Sequence, residues 1–269
     1  MISIRFEEKQ QIGLQYALET LHGCSPFGQE KIRRLRFYTP AERAELETEL
    51  YNVRQAADHA EQLKGVYDKI CILLCQMKDI RNSIRRCRDG EVPDHVELFE
   101  IKGYLQRLES LLPLYAQLTE EAPLRGLSFH DPKPALDILD PDNTRSRGFY
   151  IPDSMTENLR QIRRTKKQLE EKLHEAKTDA EKDDLRLQRT RVCAEEESEE
   201  MKVRRTMGAQ LAPMVDDLLA DAETLGRLDF MVQKALFAVR YGGVLPQITD
   251  GELALEDMVN PELCDLLSE

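Results

Sequence analysis

From Ser154 to Met207 the chain contains neither glycine nor proline, the two residues that most often end a helix. Gly208, Pro213 and Gly226 are the sole breakers between there and Gly242, so residues 154–242 read as almost unbroken helix. Met155, Leu159, Ile162, Leu169, Leu173, Ala176 and Ala180 recur at steps of three and four, with Lys166 the one polar residue on the seam. A seam of this kind needs a second helix to cover it. Met207, Leu211, Met214, Leu218, Ala222 and Leu225 make a second stripe, and the two are expected to pack antiparallel as a long hairpin. Pro213 should bend the returning helix, because it removes one backbone hydrogen bond and crowds the preceding turn.

The position of the hairpin turn has two readings. Thr178-Asp179-Ala180-Glu181 has the form of a capping box and favours a turn near 178. The symmetry of the two stripes favours one at 190–197. Residues 181–206 are largely charged, and the expectation is that they form a solvated tip.

The rest of the chain reads as helical too. Charged residues make up 33%, aromatics only 6%, and tryptophan is absent, a bias toward long, water-facing helices. The fold class is therefore all-α: a helical core (1–122), a small β or irregular connector (123–153), the long helices (154–243) and a short C-terminal segment (244–269). Within the core, helices are expected over 5–22, over 27–36, from Thr39-Pro40 onward with Thr39 as cap, over 66–88 and over 94–121. Asp89-Gly90 marks the turn between the last two. In the connector, Leu136-Asp137-Ile138-Leu139 and Phe149-Tyr150-Ile151 flank the turn-rich Asp140-Pro141-Asp142-Asn143, which suggests a small β-hairpin. Near the end, Glu252 to Leu255 reads as a short strand and Asn260-Pro261 as a helix start.

Signals of chemistry are sparse. The five histidines show no HxxxH or HExxH spacing, and no glycine-rich phosphate loop is present. Catalytic and metal-binding residues are therefore expected to be none. The six cysteines include no CxxC pair and read as reduced thiols, with Cys71 and Cys75 one helical turn apart as packing residues. No apolar stretch approaches the ~18 residues of a membrane span, and the N-terminus lacks a signal core. A cytoplasmic protein with no membrane partner is expected.

The net charge of −12 gives no overall pull toward nucleic acid, but local basic clusters occur. Lys31, Arg33, Arg34 and Arg36 form one; Arg81, Arg85, Arg86 and Arg88 another; Arg160, Arg163, Arg164, Lys166 and Lys167 a third. Arg186, Arg189, Arg191, Lys202, Arg204 and Arg205 flank the expected tip and are the candidates for DNA phosphate contact. Salt pairing with neighbouring carboxylates is the alternative for all of them. Asp229, beside the stripe Leu225, Leu228, Val232, Ala235 and Val239, either faces solvent, pairs with Arg227 or Arg240, or ties the helix base to a neighbouring domain.

Several segments together resemble the MutS DNA mismatch-repair family. LGRLDFMVQKALFAV is similar to the end of that family's second lever helix, and LDPDNTRSRGFYIPDSMTENLRQIRRTKKQLEEKL to the entry of the first, in the branch with a reduced or missing clamp. SPFGQEKIRRLRFYTPAERAELETELYNV resembles a segment of the helical core, with Gly28 and Leu50-Tyr51-Asn52-Val53 at matching positions. The resemblance covers roughly residues 15–260. It implies a core and lever that couple DNA contact to a dimeric ATPase, with GELALEDMVNPEL opening the ATPase domain and Gly242-Gly243 as the hinge. ATP and magnesium, double-stranded DNA and a homodimer would then belong to a full-length protein, and no enzyme activity to these residues. The β-rich clamp and the N-terminal mismatch-reading domain of the family have no counterpart here. The competing expectation is a helical interaction or dimerisation scaffold.

Overall fold

The computed structural model describes residues 5–35, 37–145, 150–249, 254, 256 and 258–268. Among these the chain is all-helical and has no strand. In order, the helices are α1 (Phe6–Gln11), α2 (Leu14–Thr20), α3 (Pro26–Arg33), α4 (Arg43–Asp58), α5 (Lys64–Cys75), α6 (Arg81–Arg88), α7 (His95–Glu121), α8 (Lys133–Leu139), α9 (Glu157–Glu175), α10 (Asp179–Leu211), α11 (Val215–Tyr241) and α12 (Pro261–Ser268). The chain divides into two compact units: Met1–Asp79 with Arg107–His130 and Leu219–Glu269, and Ile80–Gln106 with Asp131–Leu218.

In the first unit the expected caps are formed. Thr39 and Glu42 make a reciprocal capping box, with Thr39 N–H donating to Glu42 Oε2 at 2.9 Å. The expected helix over 5–22 is two helices, parted at Ile12-Gly13. The expected helix over 66–88 is also two: α5 ends at Cys75, and α6, which belongs to the second unit, begins at Arg81. Met77 and Ile80 are nonetheless buried in the link. Their periodicity recorded burial correctly while the backbone between them left the helix. Asn52 on α4 is buried and closes a two-way clasp on the segment after α7. Its amide donates to Arg125 O at 2.8 Å and accepts from Arg125 N at 2.8 Å.

In the second unit α9 and α10 form the antiparallel hairpin. Its turn lies at residues 176–178, where Ala176 ends α9 and the Thr178 hydroxyl accepts from Glu181 N. The cap at 178 thus decided the turn, and this alters what the stripes do. Residues 181–206 are no tip; they are the first part of the returning helix and cover α9. Beyond α9, α10 also packs on α6 and α8, and Met207 and Leu211 near its end are fully buried. Pro213 sits in a 3-10 turn, Ala212–Met214, between α10 and α11, the tightening expected where a backbone donor is missing.

The connector is helical where a strand was expected. Leu136 to Leu139 belong to α8, whose first N–H, Lys133 N, donates to Asp131 at 2.9 Å and which buries Ala135, Leu136 and Leu139. Apolar residues spaced 135, 136, 139 suit one helix face as well as they suit a short strand. Phe149, in the other expected strand, lies outside the described residues, as does the Glu252 to Leu255 strand apart from Ala254. After α8 the buried Asp140 carboxylate accepts from Thr144 N, Thr144 Oγ1 and Arg145 N, and pairs with Lys102 at 3.4 Å. Burial alone would raise its pKa, but these donors hold it below the usual carboxylate value.

The hairpin is zipped by charge more than by its oily seam. Arg163 donates to Glu196 at 2.9 Å, Glu200 at 2.7 Å and Ile151 O at 2.6 Å, and also to Asp153. Its guanidinium lies over the Tyr150 ring. Lys166, the polar break in the seam, reaches Glu196 at 2.6 Å, and Arg189 bridges back to Glu170 at 3.1 Å. Burial works against the Arg163 charge, but its three carboxylates raise its pKa. Glu196 is lowered in turn, burial being outweighed by Lys166 and Arg163; Asp153 is lowered chiefly by Arg163.

Because the Arg163 side chain is only 9% exposed, Arg163→Ala should cost about 3 kcal/mol, the lower end for removing one partner of a buried ion pair. Its depressed carboxylates bind fewer protons folded than unfolded. Their contribution is complete above the ordinary carboxylate range and is lost as pH falls through their folded values. Urea midpoints of wild type should therefore drop on acidification below about pH 4.5, and those of Arg163→Ala should drop less.

Candidate functional site

The most tightly built polar site in the first unit is a carboxylate buried on α11. Leu225, Leu228, Val232 and Ala235 are fully buried, as the stripe requires, although Val239 is exposed. Asp229 shares this burial, with no exposed surface. It neither faces solvent nor pairs with Arg227 or Arg240. Arg227 donates to Gly126 O at 2.8 Å and Arg240 to Asp265 at 2.9 Å.

Asp229 meets the start of α3. Ser25 is the N-cap and Pro26 the first helical residue; the Ser25 hydroxyl accepts from Gly28 N at 3.0 Å. Asp229 Oδ2 accepts from Ser25 N and from Ser25 Oγ, both at 2.7 Å, and Oδ1 accepts from Cys24 N at 3.1 Å. The carboxylate therefore faces the positive end of α3, where free N–H groups favour negative charge. Burial pushes the Asp229 carboxyl above its usual value against the pull of those donors. Gly28 makes the approach possible: a Cβ there would lie 2.1 Å from Asp229 Oδ2.

Further polar ties lie in the same unit. Asp221, buried on α11, accepts from His130 N and lies 2.9 Å from His130 Nδ1. Lys234 pairs with Glu49, and burial pushes its ammonium down to about 8. Asp265 on α12 accepts from Tyr16 at 2.6 Å and Tyr241 at 2.7 Å; the Tyr16 hydrogen bond leads in holding it below the usual carboxylate value.

The proposed hinge glycines end α11. Gly242 is left-handed, at φ 65°, and Gly243 N donates to Ala238 O at 2.7 Å. This is the bonding of a Schellman stop, whose left-handed residue favours glycine.

The six phosphate-contact candidates lie along α10 and do not converge at its start. Arg186 pairs with Asp183, Arg189 with Glu170 and Lys202 with Glu199. Arg204 is turned inward, donating to Pro93 O at 3.2 Å. At about 100° per residue, Arg191, Lys202 and Arg205 share one face, and all three are exposed. Arg186 and Arg205 are about 28 Å apart along the axis at 1.5 Å per residue. Of the remaining basic clusters, Lys31 pairs with Glu223, Arg86 with Glu91 and Glu97, and Arg88 with Asp216; Arg36 lies outside the described residues.

Among the described residues no group of histidine, cysteine, aspartate and glutamate is placed to hold a metal, and no helix is long and apolar enough to cross a membrane. No protein-family model matches the chain, and comparison with curated proteins finds no match.

Asp229→Ala should leave the Cys24 N–H and two buried donors of Ser25 without their acceptor, at about 1–3 kcal/mol for such a loss. Gly28→Ala should be destabilising as well, because the added methyl displaces Asp229. Guanidinium midpoints of both variants should fall well below that of Asp221→Asn, which keeps an acceptor oxygen.

Proposed function

We propose that the chain is the core and lever module of a MutS-like, DNA-associated ATPase, whose role is to couple ATP-driven changes in a C-terminal ATPase domain to DNA binding. The observation that carries this reading is the meeting of two distant segments on which the resemblance rests. Ser25 and Gly28 of SPFG close on Asp229 of LGRLDF. The hairpin, followed by helix from α10 through one 3-10 turn into α11, suits the mechanical part of that role. ATP and magnesium would belong to the ATPase domain, and Gly242-Gly243 to the link toward it.

DNA contact on this reading falls to Arg191, Lys202 and Arg205, the exposed face of α10. Arg186 and Arg189 are secondary, and Arg204 supports the arm through Pro93.

A second reading, a helical docking or dimerisation scaffold without DNA binding, is favoured by exposed apolar side chains in the first unit. Val239, Val244, Leu263, Leu266 and Leu267 are all exposed there. The pairing of most basic residues with carboxylates favours it as well.

Duplex DNA titrated at several salt concentrations decides between them. Changing Arg191, Lys202 and Arg205 together to Gln should weaken binding and lower the slope of log K against log salt by about 2.7, at about 0.9 for each phosphate no longer neutralised. No binding at low salt, with light scattering reporting a stable dimer, would overturn the lever reading in favour of the scaffold.

A further inference from the structure

Beside Asp229 lies a pair of thiols that the lever reading does not use. Cys24, in the segment between α2 and α3, and Cys71, in α5, come from opposite ends of a long stretch of sequence. One amide joins them: Gln233 Nε2 on α11 is 3.4 Å from Cys24 Sγ and 3.7 Å from Cys71 Sγ. Both cysteines are free and half-buried, whereas Cys87 is buried.

We propose that Cys71 and Cys24 are a two-cysteine oxidation site whose substrate is a small hydroperoxide. The arrangement assigns the two sulfurs different parts. Cys71 accepts from the Cys24 thiol and from the Gln233 amide, and these donors lower its pKa against burial and the nearby Asp229 and Asp68 carboxylates. Cys24 is raised, first by donating to Cys71, then by burial, and then by the negative charge around it. Of the two, Cys71 is the sulfur that ionises more readily, and the thiolate is the form that attacks. Cys24 is the protonated neighbour that resolves the product.

In the first step Cys71 Sγ attacks the peroxide. An S–O bond forms, the O–O bond breaks, and the leaving oxygen takes a proton and departs as water or an alcohol. Cys71 is then a sulfenic acid. In the second step Cys24 gives up its proton and its sulfur attacks Cys71 Sγ; the S–S bond forms, the S–O bond breaks, and water leaves. Two thiols have given up two hydrogens and two electrons, and one peroxide has been reduced. The disulfide ties α5 to the segment whose Cys24 N–H donates to Asp229, so oxidation acts on the joint at α3. Cys75, exposed one turn further along α5, is the internal control.

The experiment treats the full chain with hydrogen peroxide, alkylates what remains and maps peptides by mass. The expected product is a Cys24–Cys71 linked peptide, unchanged in Cys75→Ser. In Cys24→Ser, dimedone should trap a sulfenic acid on Cys71; in Cys71→Ser, Cys24 should stay a thiol. Gln233→Leu should slow alkylation of Cys71 at neutral pH, because it removes one of the donors that favour the thiolate. Because the first measurement needs no variant, a misfolded mutant leaves the outcome decidable. Oxidation confined to Cys75, Cys193 or Cys264, or a Cys71 that reacts no faster than Cys75, would overturn the proposal.

Discussion

A buried carboxylate without a cation partner costs folding free energy unless donors surround it, and Asp229 is held by three. Two come from backbone N–H groups at the start of α3 and one from the Ser25 hydroxyl. The requirement is mutual. The start of α3 needs an acceptor for its free donors, Ser25 spends its own oxygen on Gly28 N, and Gly28 must lack a side chain for Asp229 to come close. Ser25 and Gly28, and Asp229 some two hundred positions further along the sequence, therefore have to be right together. The packing of the Leu225–Ala235 stripe depends on that register.

The second unit solves a different problem with different means. Its hairpin has a seam too thin to hold two helices by burial alone, since Leu159 and Leu169 are its buried α9 residues. Ion pairs across the seam supply the rest. Exposed pairs contribute little, but Arg163 is enclosed, and its carboxylates come from both sides of the seam.

Much of the fold was legible in the sequence because it is local. The Thr39-Pro40 and Asn260-Pro261 starts, the Asp89-Gly90 turn and the 94–121 helix all follow from caps and periodicity over a few residues. The Thr178 cap also marked the turn of the hairpin, and it was the long-range symmetry of apolar stripes that pointed elsewhere. Symmetry failed because a stripe records burial without naming what buries it: α10 packs on α6 and α8 as well as on α9. The α8 segment misled for a related reason, four apolar-rich residues being too few to separate period 2 from period 3.6. The Asp229 joint was half visible, as an aspartate beside an apolar stripe and a Ser-Pro helix start, yet nothing local says that the two meet. Nothing in the sequence brings Cys24, Cys71 and Gln233 together, because their proximity is made by the α2–α3 link and two separate helices, α5 and α11.

The uneven distribution of ties along α9 and α10 gives the arm a graded stiffness. At its root Arg163 fastens both helices and the Tyr150–Asp153 segment, in an environment that mobile ions scarcely enter. Beyond Leu169 the half-exposed Arg189–Glu170 pair bridges the seam, and dissolved electrolyte weakens such a pair. The arm is thus a tapering spring, anchored at one end and pliant at the other, and its compliance is set by the ionic medium in which it works.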